Sequence, residues 1–453
     1  MSLEIKDFTK KEVRNHIKER NYRFFEEIIT NGRKKDIRKM LGYIGRISSD
    51  FNSDIFIELL QYPDAKIRYK AAKNLGKVIK INDLKNIEEI IEKEDNSKVL
   101  RELYSAVGRL KKKENIDILM EGLTRNSGKI VMQCIRGLLY HKDNEKVFNR
   151  LKELKDHPNE IIKDVIDREL FTDYRTKKKK EPHPYVNKKY KNKLINGDSR
   201  KILDKMPDET VHLTFTSPPY YNAKDYSIYK SYDQYLNFII EVVKKVHRVT
   251  KEGRFFVLNT SPVLVPRFSR KYSSTRYLIP YDLHSRIIDV GFEFIEEIIW
   301  KKPDASAANR NGGFFQHRKP LAYKANHATE SVIVYRKKTH RLIDWNIKQY
   351  SDEVVEKSKV KDDDYFKSNV WEIAPSSNSV HPAVFPEELA KNVIKFYSMV
   401  GDLVMDPFAG SCTVAQASSK LKRNFVMIEK EKEYLDYAQE QLNNLFNNIE
   451  IKK

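Results

Sequence analysis

The stretch Val211-His-Leu-Thr-Phe-Thr-Ser-Pro-Pro-Tyr-Tyr-Asn222 joins a β-rich apolar run to an abrupt stop. Proline cannot donate to a sheet and fixes its own backbone torsion, so Pro218 and Pro219 predict that a strand ends just before Ser217. The residue before each proline is pushed out of the helical region, which makes this segment a stiff, extended corner. Ligands bind at strand ends in open α/β sheets. The corner offers a hydroxyl, backbone carbonyls and the Tyr220 ring, which together suit a flat polar ring such as a nucleobase.

A second informative stretch is the turn Asp406–Thr413, which reads DPFAGSCT. It lies between two apolar runs, Leu403–Met405 and Phe425–Ile428, that predict strands, and a helix of small residues follows the turn. Glu429 ends the second run, 23 residues after Asp406. The amides at a helix N-terminus can hold a charged group, and an acid at the next strand end can bind ribose hydroxyls. The pattern therefore predicts a site for a nucleoside cofactor.

Together the two stretches resemble the DNA amino-methyltransferases. TSPPY is similar to the catalytic motif of that family, and its SPPY form is usual among cytosine-N4 methyltransferases. DPFAGSCT resembles the family's donor loop DPFxGSGT, and HPAVFPEEL, residues 381–389, resembles the start of the preceding helix. Because the catalytic motif comes first, the order resembles the permuted (beta) class, with the recognition region between the two halves. The resemblance covers 196–442, and Cys412 departs from it by replacing the second glycine of the loop.

The resemblance implies an α/β fold with a Rossmann-like, seven-stranded methyltransferase sheet and S-adenosylmethionine as methyl donor. It implies methyl transfer to the exocyclic N4 amine of a cytosine in duplex DNA, after base flipping. The implied catalytic residues are Ser217, Pro218, Pro219 and Tyr220. The implied donor site comprises Asp198, Thr216, Phe385, Pro386, Glu387, Asp406, Pro407, Phe408, Ala409, Gly410, Ser411, Thr413 and Glu429.

The implied chemistry needs no covalent adduct with the base. The Ser217 hydroxyl and the Pro218 carbonyl would accept the hydrogens of the amine, while Tyr220 stacks on the ring. A carbon-5 methyltransferase would need a cysteine nucleophile after a proline, and neither Cys134 nor Cys412 follows one. The Cβ of Cys412 would crowd the methionine part of the donor.

Composition and length limit the classes of protein to which this chain can belong. The chain has 453 residues, enough for two or three domains, and it is 40% hydrophobic and 33% charged. No apolar run approaches a membrane span and the N-terminus has no signal-peptide core, so we expect a cytoplasmic protein without a membrane partner. Two cysteines exclude a disulfide framework and a cysteine-rich zinc site, and we predict no metal.

The net charge of +21 is unevenly distributed. Residues 173–195 hold nine basic and two acidic residues, including the run Lys177, Lys178, Lys179 and Lys180. Like charges resist packing, so this segment is predicted to be a linker. With its interleaved tyrosines it suits a phosphate backbone, and the alternative is a merely solvated tether.

Sequence recognition is assigned to the region between the two motifs. The predicted loop 303–327 carries the candidate DNA-binding residues Arg310, Gln316, His317 and Arg318. Residues 336–380 look irregular and mixed in charge. Both segments also fit ordinary surface loops. The segments around these loops alternate between helix and strand, which predicts a largely parallel sheet. They are a helix within 226–253, a strand at 254–259, a helix at 282–290 and strands at 295–300 and 331–335.

Residues 36–172 contain a weak internal repeat. Gly45, Gly76, Gly108 and Gly137 recur near the ends of helical segments, with a polar turn before each segment. Paired helices of this period stack into a solenoid, and the pattern resembles HEAT-like repeats. We therefore predict a helical-repeat domain at 1–172, the linker at 173–195 and a methyltransferase domain at 196–453. The repeats are expected to bind DNA or to mediate dimerisation.

Several alternatives stay open at this point. An adenine-N6 methyltransferase shares the fold, although Asp or Asn more often precedes its prolines. An RNA amino-methyltransferase would fit the basic linker. A repeat-scaffold binding protein with a catalytically weak methyltransferase domain would fit Cys412. If the enzyme belongs to a restriction-modification or defence system, a cognate restriction endonuclease is a further expected partner.

Overall fold

The structure is a computed structural model that describes residues 7–171, 183–221, 229–265, 269, 271, 274–303, 328–361, 365–376, 385–443 and 451–452. The chain divides into two compact units, Met1–Lys177 and Lys178–Lys453. The boundaries at 172 and 196 stay predictions. Lys177–Lys180 and the four candidate DNA-binding residues of the 303–327 loop lie outside the described residues. Within the described ranges, no helix is long and apolar enough to cross a membrane.

The first unit is helical throughout its described part. Its helices are α1 (Lys10–Lys18), α2 (Tyr22–Asn31), α3 (Lys34–Tyr43), α4 (Asp54–Leu59), α5 (Ala65–Leu75), α6 (Leu84–Lys93), α7 (Ser97–Arg109), α8 (Ile116–Gly122), α9 (Gly128–Leu138), α10 (Glu145–Lys152) and α11 (Glu160–Ile166). Short 3-10 turns at Ile81–Asp83, Lys113–Asn115, Leu139–His141 and Glu153–Asp156 and a π-helical turn at Asp167–Phe171 connect or extend them.

The polar turns before the long helices act as N-caps. The side chains of Asp64, Asn96 and Asn159 accept hydrogen bonds from backbone N–H groups in the first turns of α5, α7 and α11. Such caps satisfy amides that would otherwise lack a partner. This explains why the same polar turn recurs in the sequence.

Neighbouring long helices are tied at their C-terminal ends. Lys77 Nζ donates to the Gly45 carbonyl at 2.7 Å, and Arg109 Nη1 donates to the Gly76 carbonyl at 3.0 Å. A Cβ added to Gly137 would lie 2.9 Å from the Gly108 Cα, so α7 and α9 touch through their backbones. The recurring glycines thus mark close helix contacts, while the HEAT-like assignment stays a prediction.

The second unit is built on one mixed sheet. Its strands are β1 (Lys193–Asn196), β2 (Val211–Thr216), β3 (Thr250–Thr260), β4 (Val263–Val265), β5 (Thr275–Tyr277), β6 (Phe292–Lys301), β7 (Thr329–Lys337), β8 (Val370–Glu372), β9 (Leu403–Asp406), β10 (Asn424–Glu429) and β11 (Ile451–Lys452). Its helices are α12 (Ser199–Asp204), α13 (Tyr232–Val249), α14 (Ile279–Val290), α15 (Ile343–Ile347), α16 (Asp352–Ser358), α17 (Glu387–Tyr397), α18 (Thr413–Lys420) and α19 (Lys432–Asn443).

The sheet order is β11-β1-β10-β9-β2-β3-β7-β6-β8, and β4 and β5 form a separate hairpin. Among these nine strands, only β7 runs antiparallel to its neighbours. The predicted α/β fold with a largely parallel, Rossmann-like sheet and an N-terminal helical region is confirmed. The edge strands β8 and β11, of three and two residues, extend the expected seven strands to nine.

One prediction about local structure was wrong, and one strand is longer than predicted. The helix predicted within 226–253 is confirmed as α13, but the strand predicted at 254–259 begins earlier, at Thr250, which pairs with Val211 of β2. Residues 336–380, predicted as irregular, contain α15, α16 and β8 in their described part. Their shortness explains why no clear periodicity is visible in the sequence.

The chain direction determines where a site can form. The carboxyl ends of β1, β2, β3, β9 and β10 lie at one edge of the sheet, and the antiparallel β7 begins there. The predicted catalytic corner follows β2, and the predicted donor loop follows β9, its direct neighbour. Both motifs are therefore brought to the same edge.

The opposite edge holds a buried polar network around Asp402. This carboxylate pairs with Arg254 and accepts the Tyr350 hydroxyl at 2.6 Å. Burial alone would raise the pKa of Asp402, but the Arg254 charge, the neighbouring His212 and the hydrogen bonds from Tyr350 and the Met399 amide together lower that pKa. His212 accepts the Leu403 amide at Nδ1 and contacts the His183 carbonyl through Nε2, so its tautomer carries the proton on Nε2.

Candidate active site

The catalytic corner leaves the centre of the sheet. All six residues of β2 are buried, and Ser217 to Tyr220 continue from it without regular structure. The Ser217 hydroxyl lies 3.5 Å from the Tyr220 hydroxyl, which donates to Glu330 Oε2 at 3.0 Å. Burial and the Glu330 charge raise the pKa of Tyr220 well above its usual value, so the phenol keeps its proton.

Three polar residues that the sequence interpretation missed complete this corner. Asn259 Nδ2 donates to Ser217 Oγ at 3.3 Å and to Glu330 Oε2 at 2.9 Å. Lys302 Nζ donates to the other oxygen of Glu330 and lies 4.6 Å from the centre of the Trp300 ring. Asn259, Lys302 and Glu330 are buried, so this is a polar cluster inside the protein. The sequence signal that could have drawn attention to it is an acid, Glu330, directly before the apolar run of β7.

The donors and acceptors of the cluster define the role of Ser217. The Tyr220 hydroxyl donates a hydrogen bond to Glu330, so its oxygen is left to accept a hydrogen bond from the Ser217 hydroxyl. Asn259 occupies one lone pair of Ser217 Oγ, which leaves the other lone pair for a ligand. Asn259 Oδ1 is buried and lacks a hydrogen-bond partner among the described residues. The corner can therefore accept a hydrogen bond from an amine at Ser217 Oγ.

The donor loop is linked to this corner by a hydrogen bond. Thr216 Oγ1 donates to Asp406 Oδ1 at 2.6 Å, and the Phe408 amide donates to the same oxygen at 2.9 Å. Burial of Asp406 raises its pKa to about 7, against the effect of these two donors. The side chain of Asp406 is thus held firmly where β2 and β9 end.

Glu429 closes the loop from the end of β10. Its Oε2 accepts the Gly410 amide at 2.8 Å, and its Oε1 accepts the Glu431 amide at 2.9 Å. Burial raises the pKa of Glu429, and these amides act against that rise. A carboxylate has about four lone-pair positions, so Glu429 retains capacity to accept a hydrogen bond from a hydroxyl group. Such acceptor oxygens fit the hydroxyl groups of a nucleoside's ribose.

Cys412 stands where the loop turns into α18. Its backbone is left-handed, with φ 58° and ψ 37°, and its side chain is buried. The left-handed region costs a residue with a Cβ about 1–2 kcal/mol. A glycine at this position would avoid that cost, which gives a physical reason for the glycine in the family motif.

The remaining predicted donor residues divide into two groups. Some make internal contacts: the Asp198 carboxylate caps α12 and pairs with Arg200, and Glu387 pairs with Lys391 and Lys420. The others lie in the loop or at the start of α17: Phe385 packs on Phe215 with ring centres 4.9 Å apart, and Pro386 occupies the N-cap position of α17. The Pro407 carbonyl accepts a hydrogen bond from the Ser199 hydroxyl, and the Ala409 amide donates to the Ile428 carbonyl. Ser411 is buried, and Thr413 begins α18. A role in donor binding stays a prediction for each of them.

Comparison with known proteins adds independent information. A family model described as DNA methylase of the N6/N4 type matches residues 211–440, half of the chain. The type II beta methyltransferase M.BslI of Bacillus sp. (strain NEB-606) is 29% identical over 329 residues, which cover 66% of this chain and 35% of M.BslI. The type II methyltransferase M.ScaI of Streptomyces caespitosus is 30% identical over 254 residues, which cover 54% of this chain and 79% of M.ScaI.

Among solved structures, a DNA modification methylase from Thermus thermophilus in complex with S-adenosyl-L-methionine is similar to this chain. The two share 26% identity with a TM-score of 0.47, and the match covers 57% of this chain and 96% of the other. The aligned region thus corresponds to one part of the present chain.

Proposed function

This chain belongs to the N6/N4 DNA methylase family, and we propose that it transfers a methyl group from S-adenosylmethionine to the exocyclic N4 amine of cytosine in duplex DNA. The observation that carries the proposal is the acceptor geometry at Ser217. Its hydroxyl is oriented by Asn259 and Tyr220 so that one lone pair stays available. An SPPY motif with such a serine is the form that resembles cytosine-N4 enzymes.

The donor site is assigned to the loop between β9 and α18. Two buried or half-buried carboxylates, Asp406 and Glu429, and the left-handed turn at Gly410 form a cradle of the right chemistry. Glu429 would bind the ribose hydroxyls, while the amides at the start of α18 face the charged end of the ligand. When bound, S-adenosylmethionine supplies an electrophilic methyl carbon, whose bond to sulfur breaks as the amine nitrogen forms the new C–N bond.

The corner prepares the amine for this attack. The lone pair of a cytosine amine is delocalised into the ring, which makes the nitrogen a weak nucleophile. Hydrogen bonds from the amine to Ser217 Oγ and to the Pro218 carbonyl restore lone-pair density at nitrogen. Tyr220 contributes its ring face, since stacking on a flipped base is worth about 1–3 kcal/mol. The catalysis comes from positioning and electrostatics.

The cluster behind Ser217 also offers a path for the proton that the amine loses. Transfer of a methyl group to nitrogen leaves a cationic product, which becomes neutral by giving up one proton. A chain of hydrogen bonds runs from Ser217 through Tyr220 to the Glu330 carboxylate. Moving one proton along each link delivers the proton to Glu330 and restores both hydroxyls. Lys302 pairs with the other oxygen of Glu330 and holds the carboxylate in place.

The target amine lies within a base pair of duplex DNA, so the cytosine must be flipped into the corner. We assign the recognition of the surrounding sequence to 303–380 and phosphate contact to the basic linker. A role in restriction-modification, with a cognate endonuclease as partner, fits the type II methyltransferases to which the chain is similar.

The experiment that tests this function is expression of the full chain in a bacterial host that lacks DNA methylation. Modification-sensitive long-read sequencing of the host genome should detect modified cytosines within one recurring sequence. A Ser217→Ala variant expressed at the same level should leave the genome unmodified. Recurring modification of adenines alone would contradict the cytosine assignment, and an unmodified genome with soluble wild-type protein would contradict the activity.

A further inference from the structure

The first unit carries a cationic groove that the proposed catalytic function does not use. A cavity of about 750 Å³ is lined by Lys10, Lys11, Arg14, Asn15, Lys18 and Arg46. Its five charged residues are all basic and all exposed. Among the described residues, none of these five cations has an ion-pair or hydrogen-bond partner through its charged group. Such a group of like charges repels itself unless an anion is bound.

The groove is continued by cations at the ends of successive helices. Arg14 packs against Gly45, whose carbonyl binds Lys77, and Arg109 binds the carbonyl of Gly76. Burial, together with the charges of Lys73 and Arg109, lowers the pKa of Lys77. The cations of adjacent helices are therefore close enough to influence one another.

The row of cations extends to the following helix pair. Lys111 Nζ lies 5.1 Å from the centre of the Tyr140 ring, and the charge of Lys113 adds to burial in lowering the pKa of His141. We call the five groove cations together with Lys77, Arg109 and Lys111–Lys113 the basic edge.

Acidic residues do not balance this charge. The segments that follow the long helices, 44–50, 76–80, 109–115 and 139–144, hold eight basic and three acidic residues. One of the three acids, Asp50, is paired with Arg20. The basic edge thus presents a row of cations from α1 along the segments that follow α3, α5 and α7.

We propose that the basic edge binds the sugar–phosphate backbone of duplex DNA without reading its sequence. A row of cations on a rigid stack matches a regular row of phosphates, and contacts to phosphates carry no sequence information. The choice of duplex DNA rests on the proposed function, since the same chain acts on that polymer.

The test compares two full-length variants with equal charge loss. The edge variant is Lys10→Gln/Lys18→Gln/Arg46→Gln/Lys113→Gln. The control variant is Lys85→Gln/Lys93→Gln/Lys129→Gln/Lys152→Gln, which removes four exposed lysines away from the basic edge. Binding to duplexes of two unrelated sequences is measured by fluorescence anisotropy over a series of salt concentrations. Thermal unfolding checks that both variants remain folded.

The edge variant should bind both duplexes at least about tenfold more weakly in ~0.1 M salt, with a salt slope of log K that is shallower by about two to four units. The control variant should stay close to wild type. Equal losses in both variants would show attraction by net charge only and would overturn the proposal. An unchanged salt slope in the edge variant would also overturn the proposal, as would a loss of affinity that is confined to duplex RNA.

The outcome is separable from that for the proposed function, because binding to unrelated duplexes requires no methyl transfer. A wild-type protein that fails to methylate, but whose duplex binding depends on the basic edge, contradicts the catalytic proposal alone. A protein that methylates, and whose edge variant binds as wild type does, contradicts the proposal for the basic edge alone.

Discussion

The Thr216 hydroxyl donates a hydrogen bond of 2.6 Å to the Asp406 carboxylate, although the two residues are 190 positions apart in the chain. Thr216 is the last residue of β2, and Asp406 is the last residue of its neighbour β9. The contact joins the strand that leads to the catalytic corner with the strand that leads to the donor loop. Because the two motifs lie far apart in the chain, the position of the corner relative to the loop depends on such contacts between strand ends.

A first prediction addresses this link. Thr216→Val keeps the shape of the side chain and removes the hydroxyl, so the buried Asp406 loses a donor. We expect donor affinity to fall by about 1–2 kcal/mol, or roughly five- to thirtyfold, as for other buried polar groups that lose a partner. Isothermal titration calorimetry with S-adenosylmethionine measures the change. Thr216→Ser, which retains the hydroxyl, is the control, and equal affinities of all three proteins would refute the link.

A second prediction concerns Glu330. Glu330→Gln retains the shape of the side chain but removes the negative charge and the proton acceptor. Because Glu330 ends the chain of hydrogen bonds from Ser217, we expect kcat to fall by roughly 10- to 1000-fold, toward the range typical of general-base loss. Donor affinity should stay within about twofold, since Glu330 does not contact the donor loop.

The matched control for this experiment is Glu388→Gln, which neutralises an exposed acid at the start of α17. Single-turnover methyl transfer separates the chemical step from product release. If Glu330→Gln transfers methyl groups at the wild-type rate, the hydrogen-bond chain has no part in the reaction.

A third prediction concerns Cys412. Cys412→Gly removes a Cβ from a left-handed residue, which relieves about 1–2 kcal/mol, but it also removes a buried thiol of similar hydrophobic value. The two effects nearly cancel, so the free energy of unfolding should change by less than about 1 kcal/mol. The donor should bind at least as well as to wild type, because the loop gains space. Weaker donor binding by calorimetry would mean that the cysteine has a role of its own.

A fourth prediction concerns acid stability. Burial lowers the pKa of His212 from 6.5 to about 3, so the folded protein keeps this imidazole neutral where the unfolded chain is protonated. The unfolded state then binds more protons below pH 6.5, and stability must fall as the pH is lowered from 6.5 toward 3. Thermal melts at several pH values should show this fall, and His212→Gln should reduce its steepness. The same steepness in both proteins would contradict the assignment.

Much of the site was predictable because its motifs are local. The end of β2 follows from Pro218 and Pro219, and the strand that precedes Asp406 follows from its apolar run. The cluster of Asn259, Lys302 and Glu330 was not predictable, because its members come from three separate strand ends. Only the antiparallel insertion of β7 between β3 and β6 brings them together. The early start of β3 was missed for a similar reason, since pairing of Thr250 with Val211 outweighs local helix propensity.

The central claim is that this protein makes N4-methylcytosine, and mass spectrometry of nucleosides tests it most directly. Purified full-length protein is incubated with S-adenosylmethionine carrying a labelled methyl group and with unmethylated bacterial DNA that contains many sequence contexts. The DNA is then digested to nucleosides. We predict labelled N4-methyldeoxycytidine with wild type and its loss with Ser217→Ala. Labelled N6-methyldeoxyadenosine as the sole product would contradict the account.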